Sequence, residues 1–302
     1  MSMRRTMTGL GLLFLMAFGC PDFVFSQGRL LPSSLSQDQW VEAKQSVDLP
    51  TGLTLKYVEM GRTDGVPLIF LHGMTDNSRS WSLAAPYFTD KYHVFMLDQR
   101  GHGDSGKPDL RMYPLALYAA DLAAFMEARG LEKAHIVGHS LGSMIAQAFA
   151  VNYPEKTISL TLEASAIPAG MGRDLYDAAV AFGENQPDDE FMAAWYANPN
   201  PVDDDFLKRE MAESKNIPPH AWRAITKGFA AVDLRPFMDE IKAPTLIMWG
   251  TEDSFFGPEQ QEALRKAIPQ AEFMVYDKYG HNLQWEIPER MAKDLLKFLA
   301  KN

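Results

Sequence analysis

The sequence predicts an α/β fold: a mainly parallel sheet covered by helices on both faces, with an inserted helical cap. Three observations predict it. Short apolar runs at residues 67–71, 92–97, 134–137 and 244–249 alternate with stretches of helical periodicity. These runs are apolar nearly throughout, as strands buried on both faces must be. Between residues 168 and 236 the alternation stops, and the composition becomes helical and rich in aromatics, among them Trp195, Tyr196, Trp222 and Phe229.

The elements follow in order. Residues 53–58 alternate apolar and polar and read as a half-buried strand. Residues 67–71 form a buried strand that ends at His72-Gly73, and residues 80–88 a short helix. The strand at 92–97 runs into the turn Asp98-Gln99-Arg100-Gly101-His102-Gly103-Asp104-Ser105. Helical spacing of Leu117, Ala120, Ala124 and Phe125 stops at Gly130. A strand at 134–137, a helix from Ser143 and a strand at 157–163 precede the interruption. After it come strands at 244–249 and 272–276 and helices at 258–267 and 288–299. The core is thus expected at residues 44–167 and 237–302, and the cap at 168–236.

The N-terminus reads differently. Arg4-Arg5 precedes an uncharged stretch to Pro21 that is strongly apolar from Leu10 to Phe18. A basic start with a short apolar run is the pattern of a secretory signal, too short to span a bilayer comfortably. Residues 1–26 are therefore expected to be a signal peptide and 27–43 a polar tether. Val24-Phe25-Ser26 offers a cleavage site, which implies a secreted or periplasmic protein. Cys20, the only cysteine, follows Ala17-Phe18-Gly19 in a pattern similar to a bacterial lipobox, so a lipid anchor at Cys20 is the alternative. The net charge of −10 argues against a nucleic-acid partner. With 46% hydrophobic residues the chain can bury a large core. Paired cysteines, His-Glu-x-x-His and glycine-rich phosphate-binding patterns are all missing, so no metal and no cofactor is expected.

The chemistry centres on Gly138-His139-Ser140-Leu141-Gly142, which joins the 134–137 strand to the following helix. Strand, G-x-S-x-G, helix is the context in which this motif makes a nucleophile elbow. Ser140 sits at its apex, at the positive end of a helix. A serine needs a base to take its proton. Of the histidines beyond the elbow, His220 lies within the cap and His281 follows the 272–276 strand, where a loop can reach the elbow. His281 is the expected base. Two carboxylates compete to orient it. Glu163 closes the 157–163 strand, and Asp253 follows the 244–249 strand in Gly250-Thr251-Glu252-Asp253. The oxyanion is expected to meet the backbone N–H groups of Leu141 and Met74. His72, His102 and His139 read as loop-shaping or packing residues.

Together, His72-Gly73, the 98–105 turn, the elbow, Gly250-Thr251-Glu252-Asp253 and Gly280-His281 resemble the α/β-hydrolase superfamily over about residues 50–302. The resemblance implies a Ser140–His281–Asp253 triad and an acyl-enzyme opened by water. It selects Asp253 over Glu163 and leaves the substrate open. Epoxide hydrolases and haloalkane dehalogenases look similar but carry Asp where this chain has Ser140. The expected activity is hydrolysis of a carboxylic ester or lactone, with a small-molecule substrate bearing an apolar or aromatic group. Two alternatives stand beside it. One is carbon–carbon cleavage of a dione acid, which needs a cationic clamp such as Arg173, Arg223 or Arg235 could supply. The other is a ligand receptor on a retained hydrolase fold. The cap is expected to set substrate range more than chemistry.

Overall fold

The computed structural model describes residues 31–302. The predicted signal peptide, Cys20 and the start of the predicted tether lie outside the described residues. Among the described residues no helix is long and apolar enough to cross a membrane.

Among the described residues eight strands form one sheet: β1 (Gln45–Leu49), β2 (Leu53–Gly61), β3 (Val66–Leu71), β4 (Tyr92–Asp98), β5 (Ala134–His139), β6 (Thr157–Glu163), β7 (Thr245–Gly250) and β8 (Glu272–Tyr276). Their order is β1-β2-β4-β3-β5-β6-β7-β8. β1 and β2 are antiparallel to their neighbours, and every pairing from β4 to β8 is parallel. The central strands alternate between two cores. Ile69, Leu71, Phe95, Leu97, Ile136 and Ile247 face one. Leu68, Phe70, Val94, Met96, Val137, Leu246 and Met248 face the other. Each such side chain contributes about 1.5–3 kcal/mol on full burial, so a single-residue slip in register would exchange the two cores.

Helices cover both faces: α1 (Gln39–Glu42), α2 (Leu115–Ala128), α3 (Leu141–Asn152), α4 (Arg173–Ala181), α5 (Asp189–Trp195), α6 (Asp204–Ser214), α7 (Pro219–Ala231), α8 (Pro258–Ala267), α9 (Leu283–Glu286) and α10 (Pro288–Leu299). α2, α3 and α8 pack on the first face. On the second, α10 buries Met291, Ala292, Leu295, Phe298 and Leu299, one stripe at helical spacing. Helices α4–α7 lie between β6 and β7. The two ends of this insertion are held together by Leu234 N–H donating to Pro168 O at 2.8 Å and Gly170 N–H to Val232 O at 2.6 Å. A bidentate ion pair of Arg100 with Asp121, both almost fully buried, ties the turn after β4 to α2.

Three segments differ from the expectation. Residues 80–88 form two short 3₁₀ turns, Ser78–Trp81 and Ala85–Phe88, because Pro86 has no N–H to continue a helix. β1 escapes the sequence reading because it is an edge strand whose Gln45, Ser46 and Asp48 are largely solvated. Residues 31–43, expected in a tether, lie against the fold. Leu31 N–H donates to Gly61 O, Arg79 donates to the Gln37 carbonyl, and Trp40 is fully buried with its indole N–H on Ser78 Oγ at 3.2 Å. A buried indole brings enough apolar area to order a polar segment around it.

Candidate active site

The turn between β5 and α3 is built by two glycines. A Cβ on Gly138 would lie 2.3 Å from Gly142 O, and one on Gly142 would lie 2.3 Å from Leu71 O. Ser140 between them has φ +51°, a conformation non-glycine residues adopt only under constraint. The constraint is visible: Ser140 N–H donates to Glu163 O at 3.0 Å, and Ser140 O accepts from Ser143 and Met144. Leu141 opens α3, so its N–H is one of the donors a helix leaves without an internal acceptor.

The loop after β7 brings Asp253 to His281. Asp253 Oδ1 lies 2.8 Å from His281 Nδ1 and also accepts the N–H groups of Phe255 and Phe256, at 2.9 and 3.1 Å. The imidazole is packed by Phe255, Phe256 and His139. Glu163, the competing carboxylate, is turned to a different task. It is fully buried, and its Oε1 accepts the Gln284 N–H at the start of α9 at 3.0 Å. Burial pushes its carboxyl up to about 8, so it carries a proton at neutral pH.

The other histidines serve the surrounding loops. His72 Nδ1–H donates to Gly73 O, and Nε2 accepts from Gln99 N–H at 3.0 Å. His139 Nε2–H donates to the carbonyl of His281 at 3.1 Å, tying the elbow to the histidine loop. His220 bonds the carbonyl of Lys107. Burial keeps His72, His102 and His139 well below the ordinary imidazole range.

Ser140, His281, Met74 and Leu141 line one cavity of about 390 Å³. Its walls are apolar over most of their extent, with Met171, Leu175, Phe229, Phe255 and Trp285 around the serine. Two carboxyl groups, Asp76 and Asp174, also line it, and among the described residues no Lys or Arg does. Asp76 was not singled out in the sequence. Its signal was position alone, two residues beyond Met74 in the loop after a buried strand. Burial pushes its carboxyl up to about 7, against the opposing pull of Ser80 and Tyr196. The three arginines considered as a clamp are engaged elsewhere. Arg173 pairs with Asp177, Arg223 with Glu184 and the Gly183 carbonyl, and Arg235 with Asp233.

A family profile described as the alpha/beta hydrolase fold matches residues 66–288. The chain belongs to the α/β-hydrolase family. Among curated relatives of this hydrolase is 2-hydroxy-6-oxononadienedioate/2-hydroxy-6-oxononatrienedioate hydrolase of Comamonas testosteroni. It is 28% identical over 269 residues, covering 78% of this chain and 88% of the relative. Lipase 1 of Psychrobacter immobilis is 28% identical over 266 residues, covering 78% of each chain. The crystal structure of a hydrolase from Pseudomonas aeruginosa shares the fold with a TM-score of 0.78 at 23% identity, over 85% of this hydrolase and 98% of that one. The α/β-hydrolase is thus an enzyme, and its relatives include both a 2-hydroxy-6-oxononadienedioate/2-hydroxy-6-oxononatrienedioate hydrolase and a lipase.

Proposed function

We propose that this enzyme hydrolyses a carboxylic ester or lactone through Ser140, His281 and Asp253. The observation that carries the reading is the 2.8 Å contact of Asp253 with His281 Nδ1 beside the constrained Ser140, in one apolar cavity. The Asp253 carboxylate takes the Nδ1–H bond, which leaves the lone pair on Nε2. Nε2 accepts the Ser140 proton as Oγ attacks the carbonyl carbon. The carbonyl π-electrons move to oxygen, and the main-chain N–H groups of Met74 and Leu141 stabilise that oxyanion. Collapse expels the alcohol, which takes the proton from the imidazolium. Water then repeats the sequence on the acyl-serine, releasing the acid and restoring Ser140.

Among the described residues no Lys or Arg lines the cavity, which favours an uncharged substrate over a dione acid. The apolar lining favours a hydrophobic or aromatic group on it. The test is a panel of aryl esters, lactones and a ring-opened dione acid, each assayed with wild type and Ser140→Ala. Turnover of esters or lactones abolished in the variant is the expected result. Exclusive turnover of the dione acid would select carbon–carbon cleavage instead, and tight binding without turnover a receptor. We place this activity outside the cytoplasm on the strength of residues 1–26. A full-length chain recovered from the cytosol would contradict that.

A further inference from the structure

Thr75 lies in the loop after β3, next to Met74, and has φ +73°. A β-branched residue is disfavoured there, where glycine or asparagine would be at ease. Its side chain is 1% exposed, and its hydroxyl is fully engaged with the cap. Trp195 Nε1 lies 2.9 Å from Thr75 Oγ1, and Thr75 Oγ1 lies 2.9 Å from Tyr196 Oη. Tyr196 Oη lies 3.3 Å from Asp76 Oδ1. The directions follow from the donors. An indole nitrogen can only donate, so Thr75 Oγ1 accepts from Trp195. Tyr196 has one proton, and Asp76 accepts it. Thr75 must therefore donate its own proton to Tyr196. The result is one directed chain, Trp195 to Thr75 to Tyr196 to Asp76, which starts on the cap, crosses to the loop twice and leaves none of the hydroxyls unsatisfied.

The neighbouring residue is held from the cap as well. Asn77 N–H donates to Glu210 Oε1 at 3.1 Å, and its amide donates to Glu213 at 2.9 Å. Both glutamates are on α6. The cap therefore grips three successive residues of the loop, Thr75, Asp76 and Asn77, immediately after Met74.

We infer that Thr75 is a positioning residue whose hydroxyl, clasped by Trp195 and Tyr196 of the cap, holds the Met74 N–H in line for the oxyanion. This rests on the serine-hydrolase reading above. It also gives the cap a part in the chemistry, beyond substrate range. A hydroxyl is needed because the loop is held in a conformation the backbone alone disfavours. Releasing the clasp lets the loop relax and turns the Met74 N–H away. The loss then falls on the transition state, where charge develops on oxygen, and not on substrate binding.

The test is steady-state turnover of a neutral aryl ester by Thr75→Val, Thr75→Ser and Thr75→Gly. Loss of one oxyanion donor costs on the order of 10²–10³ in kcat, and a misaligned donor should cost Thr75→Val about 10- to 100-fold, with KM within about twofold. Thr75→Ser, which keeps the hydroxyl, should recover most of the rate. Thr75→Gly separates the two roles of the position. It lacks the hydroxyl but is at ease at this φ, so it should be faster than Thr75→Val. Tyr196→Phe and Trp195→Phe break the same chain from the cap side and serve if Thr75→Val does not fold. Wild-type kcat in Thr75→Val, a Thr75→Gly no faster than Thr75→Val, or an effect confined to KM, would overturn the inference. Failure of the underlying reading looks different: Ser140→Ala would then keep its turnover whatever Thr75 does.

Discussion

Glu163 Oε1 accepts the main-chain N–H of Gln284, three residues past His281, while the His281 ring turns to Asp253. Two buried carboxyl groups thus serve one loop, one by holding its backbone and the other by holding its imidazole. Their replacements should separate cleanly. Asp253→Asn leaves the imidazole without its acceptor and should lose roughly 10⁴ in kcat while staying folded. Glu163→Gln keeps an acceptor for Gln284 and should lose far less. Single-turnover and steady-state assays on an aryl ester decide it. The reverse order of effects would move the acid to the end of β6.

Glu163 should also make stability depend on pH. Its carboxyl titrates at about 8 in the folded chain against an ordinary 4.5. Below pH 4.5 it is neutral folded and unfolded, and its contribution is fully present. Between 4.5 and about 8 the unfolded chain releases the proton and the folded chain keeps it. Stability therefore falls as pH rises through this window. Asp76, pushed up to about 7, and Glu210, raised by burial, add slopes of the same sign. Glu163→Gln is neutral at every pH. Its melting temperature relative to wild type should rise between pH 5 and pH 8. A difference independent of pH would show that Glu163 is already ionised in the folded enzyme.

Strands β3, β4, β5 and β7 were legible because their residues are apolar nearly throughout, and the elbow because Gly138 and Gly142 are spaced by a geometry few other turns need. The pairing of His281 with Asp253 was expected from the place of His281 after a strand and from the family resemblance, which favoured Asp253 over Glu163. What stayed hidden depends on contacts made across the chain. Thr75 and Asp76 carry no local pattern, and their roles come from Trp195 and Tyr196, about 120 residues away. Trp40 gave no signal because a single indole in a polar stretch has no period to detect. Glu163 could be read as either acid or anchor until Gln284 was seen to occupy it.

The elbow allows little substitution. A methyl on Gly142 would meet the main-chain oxygens of Leu71 and His72 at 2.3 and 2.5 Å, and neither can move without breaking β3. Overpacking against flexible neighbours costs about 1–3 kcal/mol. Against backbone, Gly142→Ala should reach or exceed the upper end of that range. Urea unfolding followed by tryptophan fluorescence measures it. A variant with an unchanged midpoint would mean that the turn is looser than these distances imply.

The charge on the cavity walls makes the last prediction. Asp76 and Asp174 line the cavity together with aromatic and aliphatic side chains, and among the described residues no Lys or Arg lines it to offset them. A substrate carboxylate placed there loses water and gains no partner. Like-charge juxtaposition in a desolvated site costs several kcal/mol, so kcat/KM should fall on the order of 100-fold when a neutral ester is replaced by an isostere bearing a remote carboxylate. The penalty should shrink at high salt for the part due to Asp174, which is exposed. It should also shrink as pH falls below about 7, where Asp76 takes up its proton. Asp174→Lys should favour the anionic isostere without changing turnover of the neutral ester. Comparing the two substrates across pH and salt is the measurement. If wild type prefers the anion, a cation reaches the bound substrate by a movement of the cap, and the uncharged-substrate reading falls.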